Sequence, residues 1–136
     1  MLDGLWIATA APAVDAALAA LTASGAIAVV ATPRLARALT SRGRAVTVVG
    51  AAEDATGWID SARYAAVIGV GAGDRDDWAE VLAAWSRATV DGGGLVLVDR
   101  AAAVELSRRA LCAGLTALEQ RVAGRWTVTS GRVLRV

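Results

Sequence analysis

The chain has 136 residues, the usual size of a single domain, and 56% of them are hydrophobic, with a mean hydropathy of +0.50. Its 14 basic and 13 acidic residues give a formal net charge of +1, and no basic stripe typical of nucleic-acid binding is present. There is no histidine and only one cysteine, which excludes histidine-based catalysis and an internal disulfide and argues against a zinc site. We therefore expect one soluble, cytoplasmic domain over 1–136, with no membrane segment, no metal and no nucleic-acid partner.

In the first half of the chain, apolar runs of strand length alternate with helical patterns. Pro12 and Pro33 are each suited to the first turn of a helix, and Thr32 is suited to the N-cap position before Pro33. Glycines at positions 25 and 43 are suited to ending these helices. The predicted elements are a helix over 12–24, a strand over 26–30, a helix from 33 to 43 and a strand over 45–49.

The second half begins with a predicted strand over 64–70 and the loop Gly69-x-Gly71-x-Gly73. Asp74, Asp76 and Asp77 follow, and we expect them in the first turn of the next helix, where the macrodipole favours negative charge. These aspartates would repel a phosphate, so the loop is predicted to be a tight turn, although a small neutral or cationic ligand remains open. Trp78 and Trp85 lie seven residues apart on that helix and are predicted to pack in the core.

A turn at Asp91–Gly94, a strand over 95–98 and a helix over 101–113 come next. In this helix Val104, Leu106, Ala110 and Leu111 form the expected apolar face, and Cys112 is interpreted as a buried structural thiol. Ser130-Gly131 is a hairpin signal between strands 126–128 and 133–136. Alternatively, residues 115–122 form the longer partner strand in this C-terminal pair.

Continuous apolar strands alternating with helices predict a mainly parallel, doubly wound, Rossmann-like α/β sheet that is covered on both faces. The expected order has strand 26–30 in the centre, between strands 45–49 and 64–70. Strand 95–98 should follow strand 64–70, with an antiparallel C-terminal hairpin at the far edge.

The stretch from Tyr64 to Asp99 resembles the second half of a class I S-adenosylmethionine-dependent methyltransferase. Its pieces are the strand YAAVIGVG, a helix, and the run DGGGLVLVD, in which a glycine turn leads into an apolar strand that ends in Asp. The later sequence RALCAGLTALE resembles the helix and turn that precede the last two strands of that family. The run AVVATPRLARALTSRGRAVTVVG resembles the first half of the family in its strand–helix–strand rhythm.

The first half departs from the family pattern at the positions that would hold the cofactor. Ala31, Thr32 and Pro33 stand where the family has a glycine-rich loop, and Gly50 stands where it has an acidic residue. Too few residues separate Gly50 from Tyr64 for a further helix and strand, so one edge strand is expected to be missing. On this basis we expect no catalytic residue, no cofactor, and no S-adenosylmethionine binding tighter than about 1 mM.

Two functions follow from the resemblance. The first is a non-catalytic methyltransferase-like domain that acts as an oligomerisation or regulatory protein-interaction module. A homodimer would then close across the exposed edge of strand 45–49, unless residues 51–63, with Trp58 and Ile59, cap this edge. The alternative is a minimal methyltransferase that acts on a small molecule. In that case S-adenosylmethionine would be bound by Ala31, Thr32, Gly50, Glu53, Asp54, Gly69, Val70 and Gly71.

Overall fold

The structure, a computed structural model, describes residues 25–30, 33–41, 43, 45–49, 64–100 and 102–134. The expected helix over 12–24 lies outside these residues, as does the segment 51–63 with Trp58 and Ile59. In chain order the elements are β1 (Ile27–Val30), α1 (Pro33–Ser41), β2 (Val46–Val49), β3 (Tyr64–Val70), a 3₁₀ turn (Ala72–Asp74), α2 (Trp78–Ala88), β4 (Thr89–Asp99), α3 (Ala103–Cys112), β5 (Thr116–Ala123) and β6 (Trp126–Arg132).

The six strands form one sheet in the order β2-β1-β3-β4-β6-β5. The first four are parallel to one another, and β6 pairs antiparallel with both β4 and β5. The predicted α/β class, the central position of β1 and the antiparallel C-terminal hairpin at the far edge are confirmed. Among the described residues no strand lies outside β2, and the segment 50–63, where the expected missing edge strand would have to lie, is outside them.

Helices cover the sheet on both faces, because the parallel strands carry apolar side chains in both directions. On one face α1 places Leu35 and Leu39 against β1 residues such as Ile27. On the other face α2 and α3 contribute Trp85 and Ala110 to a second cluster of buried side chains. None of the described helices is long and apolar enough to cross a membrane.

The glycine run after α2 is an irregularity within β4 and not the separate turn that the sequence predicts. Thr89 pairs with Tyr64 and Gly94 pairs with Ala66, so a single residue of β3 lies opposite the four residues 90–93. Gly92 supplies the positive φ of 77° that this bulge requires. The bulge is fastened to the end of β6, since the N–H of Gly92 donates to the carbonyl oxygen of Val133 over 2.7 Å.

The prediction of a hairpin turn at Ser130-Gly131 is wrong. The alternative, in which residues 115–122 form the partner strand, is correct in outline, and this strand is β5. The chain reverses at Gly124 and Arg125, between the paired residues Ala123 and Trp126. Gly131 lies inside β6, where a side chain would come within 2.9 Å of the Cβ atom of Leu115. This glycine makes room for packing and does not form a turn.

The apolar face predicted for α3 is only half correct. Leu106 and Ala110 are fully buried, whereas Val104 is 83% exposed and Leu111 is 61% exposed. Cys112 is exposed as well, so its interpretation as a buried thiol is wrong. The helix ends at Cys112 and directs only one narrow side toward the sheet, so the apolar residues outside this side face solvent in the described structure.

Candidate functional site

A tight turn joins β3 to α2 at the carboxyl ends of the parallel strands. Gly71 follows β3 with φ 84° and ψ 0°, and it begins the 3₁₀ turn Ala72–Asp74. Its N–H donates a hydrogen bond of 2.8 Å to the carbonyl oxygen of Val98 in the neighbouring strand β4. Ligands of open α/β sheets bind at this edge, so the turn lies where a functional site is expected.

Two reciprocal hydrogen bonds fasten this turn to the end of β4. The N–H of Gly73 donates to Oδ1 of Asp99 over 2.9 Å. In the opposite direction, the N–H of Arg100 donates to Oδ2 of Asp74 over 3.1 Å. Each segment thus supplies one backbone donor and one carboxylate acceptor, and the turn is held in one position relative to the strand end.

Asp99 is fully buried although it carries an ionisable group. Burial raises the pKa of its carboxyl to about 7, and the nearby charge of Asp74 adds to this rise. The backbone N–H groups of Gly73 and Asp74 and the charge of Arg109 act on this pKa in the opposite direction. The second oxygen, Oδ2, has no hydrogen-bond partner among the described residues.

Arg109 of α3 holds the turn from its other side. Its Nη1 donates to the carbonyl oxygen of Gly73 over 2.6 Å. The guanidinium lies 5.3 Å from the ring centroid of Trp78, and its Nε donates to Glu105 over 2.9 Å. Hydrogen bonds from Arg108 and Arg109 lower the pKa of Glu105 to about 2, so this carboxylate stays charged and keeps Arg109 in place.

The acidic residues after the turn have roles different from the predicted ones. Asp77 occupies the N-cap position of α2 but makes no side-chain capping hydrogen bond. Its carboxylate instead pairs with Arg75 over 2.8 Å, which lowers the pKa of Asp77. The expectation that Asp74, Asp76 and Asp77 lie in the first helical turn is therefore wrong, since the only acidic residue there is Glu80.

Three of the predicted cofactor-binding residues lie on the end of β3. Gly69 faces the core, where an added Cβ atom would come within 2.6 Å of the Trp85 ring, so packing accounts for this glycine. Val70 is half-buried, and Gly71 has open space where a side chain would be. The other five, Ala31, Thr32, Gly50, Glu53 and Asp54, lie outside the described residues.

The cluster of Asp74, Asp99 and Arg109 was not predicted from the sequence. The one available signal was the apolar strand that ends in Asp99, because a carboxylate at the carboxyl end of a central strand lies at the usual ligand edge. Asp99 and Arg109 both contact Gly73 but lie 26 and 36 residues further along the chain. No local sequence pattern reveals contacts over such separations. Within the described residues, no group of three or more Cys, Asp or Glu side chains is placed to hold a metal ion.

No protein-family model matches the sequence, and no curated protein matches it either. Solved structures do match. One is a chain of the Haloferax volcanii complex between the Trm112 methyltransferase activator and its candidate methyltransferase, with a TM-score of 0.82 and 12% identity over 98% of this chain and 93% of that chain. The protein has a class I methyltransferase-like fold.

Two structures from Burkholderia thailandensis agree. The 1,6-didemethyltoxoflavin-N1-methyltransferase, with bound 1,6-didemethyltoxoflavin and S-adenosylhomocysteine, has a TM-score of 0.76 and 16% identity over 96% of this chain and 81% of that chain. An O-methyltransferase family protein has a TM-score of 0.71 and 16% identity over 98% of this chain. The present chain spans 58% of that longer protein.

These structures correct the expectation that no cofactor is involved. The toxoflavin methyltransferase, which shares this fold, holds S-adenosylhomocysteine, so the fold itself is compatible with such a cofactor. The expectation relied on the loop after β1 and on the residue after β2, and both lie outside the described residues. The turn after β3, with Gly69, Val70 and Gly71, was assigned to the cofactor only in the alternative function, and this turn is well formed here.

The turn after β3 has two features that suit a cofactor of this kind. S-Adenosylmethionine carries a positive sulfonium and no phosphate, and the exposed carboxylate of Asp74 at this turn suits positive charge and disfavours phosphate. Around Gly71 an added Cβ atom would meet none of the described residues within 4 Å, which leaves room for a ligand to approach the backbone closely. The residues present therefore fit the cofactor.

Proposed function

We propose that the chain is an S-adenosylmethionine-binding methyltransferase domain that uses the carboxyl edge of its sheet as the ligand site. The observation that carries this proposal is the turn from Gly71 to Asp74, which is fixed to β4 and α3 and leaves open space above Gly71. The complex of the same fold with S-adenosylhomocysteine supports it.

In this function the chain binds and orients, and the cofactor supplies an electrophilic methyl group when bound. Val70 and Gly71 would contact it through the end of β3, and Asp74 would complement its positive charge. Ala31, Thr32, Gly50, Glu53 and Asp54 remain the predicted contacts from the first half of the chain. Among the described residues we assign no general base, so the acceptor would be positioned rather than activated by a named side chain.

The test compares two glycines that both have a positive φ angle and lie at opposite ends of the parallel strands. Gly71 and Gly92 have φ of 84° and 77°, and an added Cβ atom meets nothing within 4 Å at either position. An alanine at either position should cost about 1–2 kcal/mol of stability. Only the carboxyl-edge variant, Gly71→Ala, should weaken S-adenosylmethionine binding, by about tenfold or more in a calorimetric titration.

Two outcomes of these titrations would contradict the proposed function. If the unaltered protein shows no heat of binding with S-adenosylmethionine at millimolar concentration, the domain does not use this cofactor. If Gly71→Ala and Gly92→Ala weaken binding equally, the loss comes from general destabilisation and the turn is not the site.

A second candidate function is an oligomerisation or regulatory protein-interaction module, and edge strand β2 is the observation that favours it. The N–H of Ile27 in β1 donates to the carbonyl oxygen of Ala45, so by alternation the N–H and C=O of Val48 point away from β1. The side chain of Val48 is 49% exposed. Such an edge can pair with a second copy of the chain, and the complex containing the Trm112 activator is a protein assembly built on the same fold.

Light scattering at micromolar concentration should then show a dimer, and a constant mass of 13.8 kDa would contradict this function.

A further inference from the structure

The carboxyl of Asp99 occupies an unusual position beneath the turn after β3. It is fully buried, and only one of its two oxygens has a hydrogen-bond partner among the described residues. The unpartnered Oδ2 lies against the turn, because a Cβ atom added to Gly73 would be 2.8 Å from it. Burying an ionised carboxylate oxygen without a hydrogen-bond donor raises the free energy of the folded state. A protonated carboxyl is uncharged and avoids the cost of burying a charge.

Two charged groups act on this carboxyl, one in the turn and one on α3. Asp74, in the turn, repels the ionised form, and Arg109 on α3 attracts it. The charge of Arg109 is already shared with Glu105 and with the carbonyl oxygen of Gly73. Arg100, on the strand end itself, donates its N–H to Asp74 and stacks its guanidinium on Trp126, at 5.6 Å from the ring centroid. The ionised form of Asp99 therefore has a nearby like charge and no cation of its own.

We infer that Asp99 is a positioning residue that holds the Gly71–Asp74 turn in its observed geometry while the Asp99 carboxyl is protonated, and that the turn loosens when this carboxyl loses its proton. With the proton present, Oδ1 still accepts the N–H of Gly73 and the repulsion from Asp74 disappears. Without the proton, the carboxylate gains hydration by moving toward water, and the N–H of Gly73 loses its partner. Ligand binding at this turn would then be coupled to proton binding by Asp99.

The part of this inference that concerns the turn does not rest on the proposed function, and NMR can test it without a ligand. The amide signals of Gly71 and Gly73 should move with pH in the unaltered protein, with a midpoint near 7, the raised pKa of Asp99. In Asp99→Asn the same signals should stay constant from about pH 5 to about pH 9, because asparagine does not ionise. The amides of Gly114 and Gly131, which lie away from the turn, are the internal reference.

A second variant keeps the test decisive if Asp99→Asn does not fold. Asp74→Asn retains an oxygen that can accept the N–H of Arg100 but removes the like charge, so the midpoint of the Gly73 signal should move to lower pH. A Gly73 signal that does not titrate in this range, or that titrates identically in Asp99→Asn, overturns the inference.

The part that concerns the ligand rests on the proposed function and has a separate measurement. S-Adenosylhomocysteine should bind the unaltered protein several-fold more tightly at about pH 6 than at about pH 8.5, and this ratio should fall to one in Asp99→Asn. If the affinity is equal at both pH values while the Gly73 signal does titrate, the coupling between ligand binding and the Asp99 proton is overturned. The pH response of the turn itself would still stand. Absence of binding at both pH values overturns the proposed function, and with it the coupling.

Discussion

At the scale of single residues, the stability of the fold should depend on the proton of Asp99. In the unfolded chain this carboxyl takes up its proton near the ordinary pKa of 3.8, whereas in the folded chain it does so at about 7. Between these values the folded state binds more protons, so stability is greatest at low pH and falls as the pH rises toward 7. Above that value the loss is complete and stability no longer changes through this group.

The substitution Asp99→Asn should remove this dependence. Between about pH 5 and about pH 8, urea unfolding of the unaltered protein should lose about 2–3 kcal/mol more than the variant loses. The lowered pKa values of Asp77 and Glu105 do not interfere, because those carboxylates are already ionised throughout this range. Parallel pH profiles for the two proteins would show that Asp99 does not ionise at the buried position.

Glycines show how much a sequence reveals at this scale. Gly71 and Gly124 have positive φ angles at turns, which is what a loop glycine ordinarily indicates. Gly69, Gly93 and Gly131 look the same in the sequence, yet each lies in a strand against a neighbour that leaves no room for a Cβ atom. The hairpin signal at Ser130-Gly131 was misleading for this reason, since close packing and turn formation select the same residue.

At the scale of elements, continuous apolar runs were sufficient to locate the parallel strands. The runs around Ile27–Val30 and Tyr64–Val70 are buried on both sides, so their composition differs clearly from that of the helices. Helix α3 could not be oriented in the same way. Its apolar residues surround much of the helix, and only the packing partners decide that Leu106 faces inward and Leu111 outward.

Edge strand β2 carries the prediction about association. Because the N–H of Val48 points away from β1, Val48→Pro should leave the sheet intact and remove a donor from the outer edge. If copies of the chain pair through this edge, the variant should scatter light as a monomer. The control Val48→Thr keeps the N–H and a β-branched side chain, so it should associate like the unaltered protein. Dimers that survive Val48→Pro would place the interface elsewhere.

At the scale of the whole molecule, the order of strands brings separate parts of the chain to one edge. The ends of β3 and β4 meet there, and α3 reaches back to the same turn through Arg109. The sequence could predict this meeting of strand ends from the alternation of strands and helices. It could not predict that Asp99 would be buried under the turn, because this depends on how closely Gly73 approaches the strand.

The central claim is that this edge, at the turn after β3, binds S-adenosylmethionine or its product. A titration of the isotope-labelled protein with S-adenosylhomocysteine, followed through backbone amide signals, tests it most directly. We expect the largest changes at Gly71, Gly73 and Asp74, and none at Gly92 or Gly131, since the irregular part of β4 lies at the other end of the parallel strands. Changes confined to Gly92 and Gly131, or no changes at saturating concentration, would contradict the account.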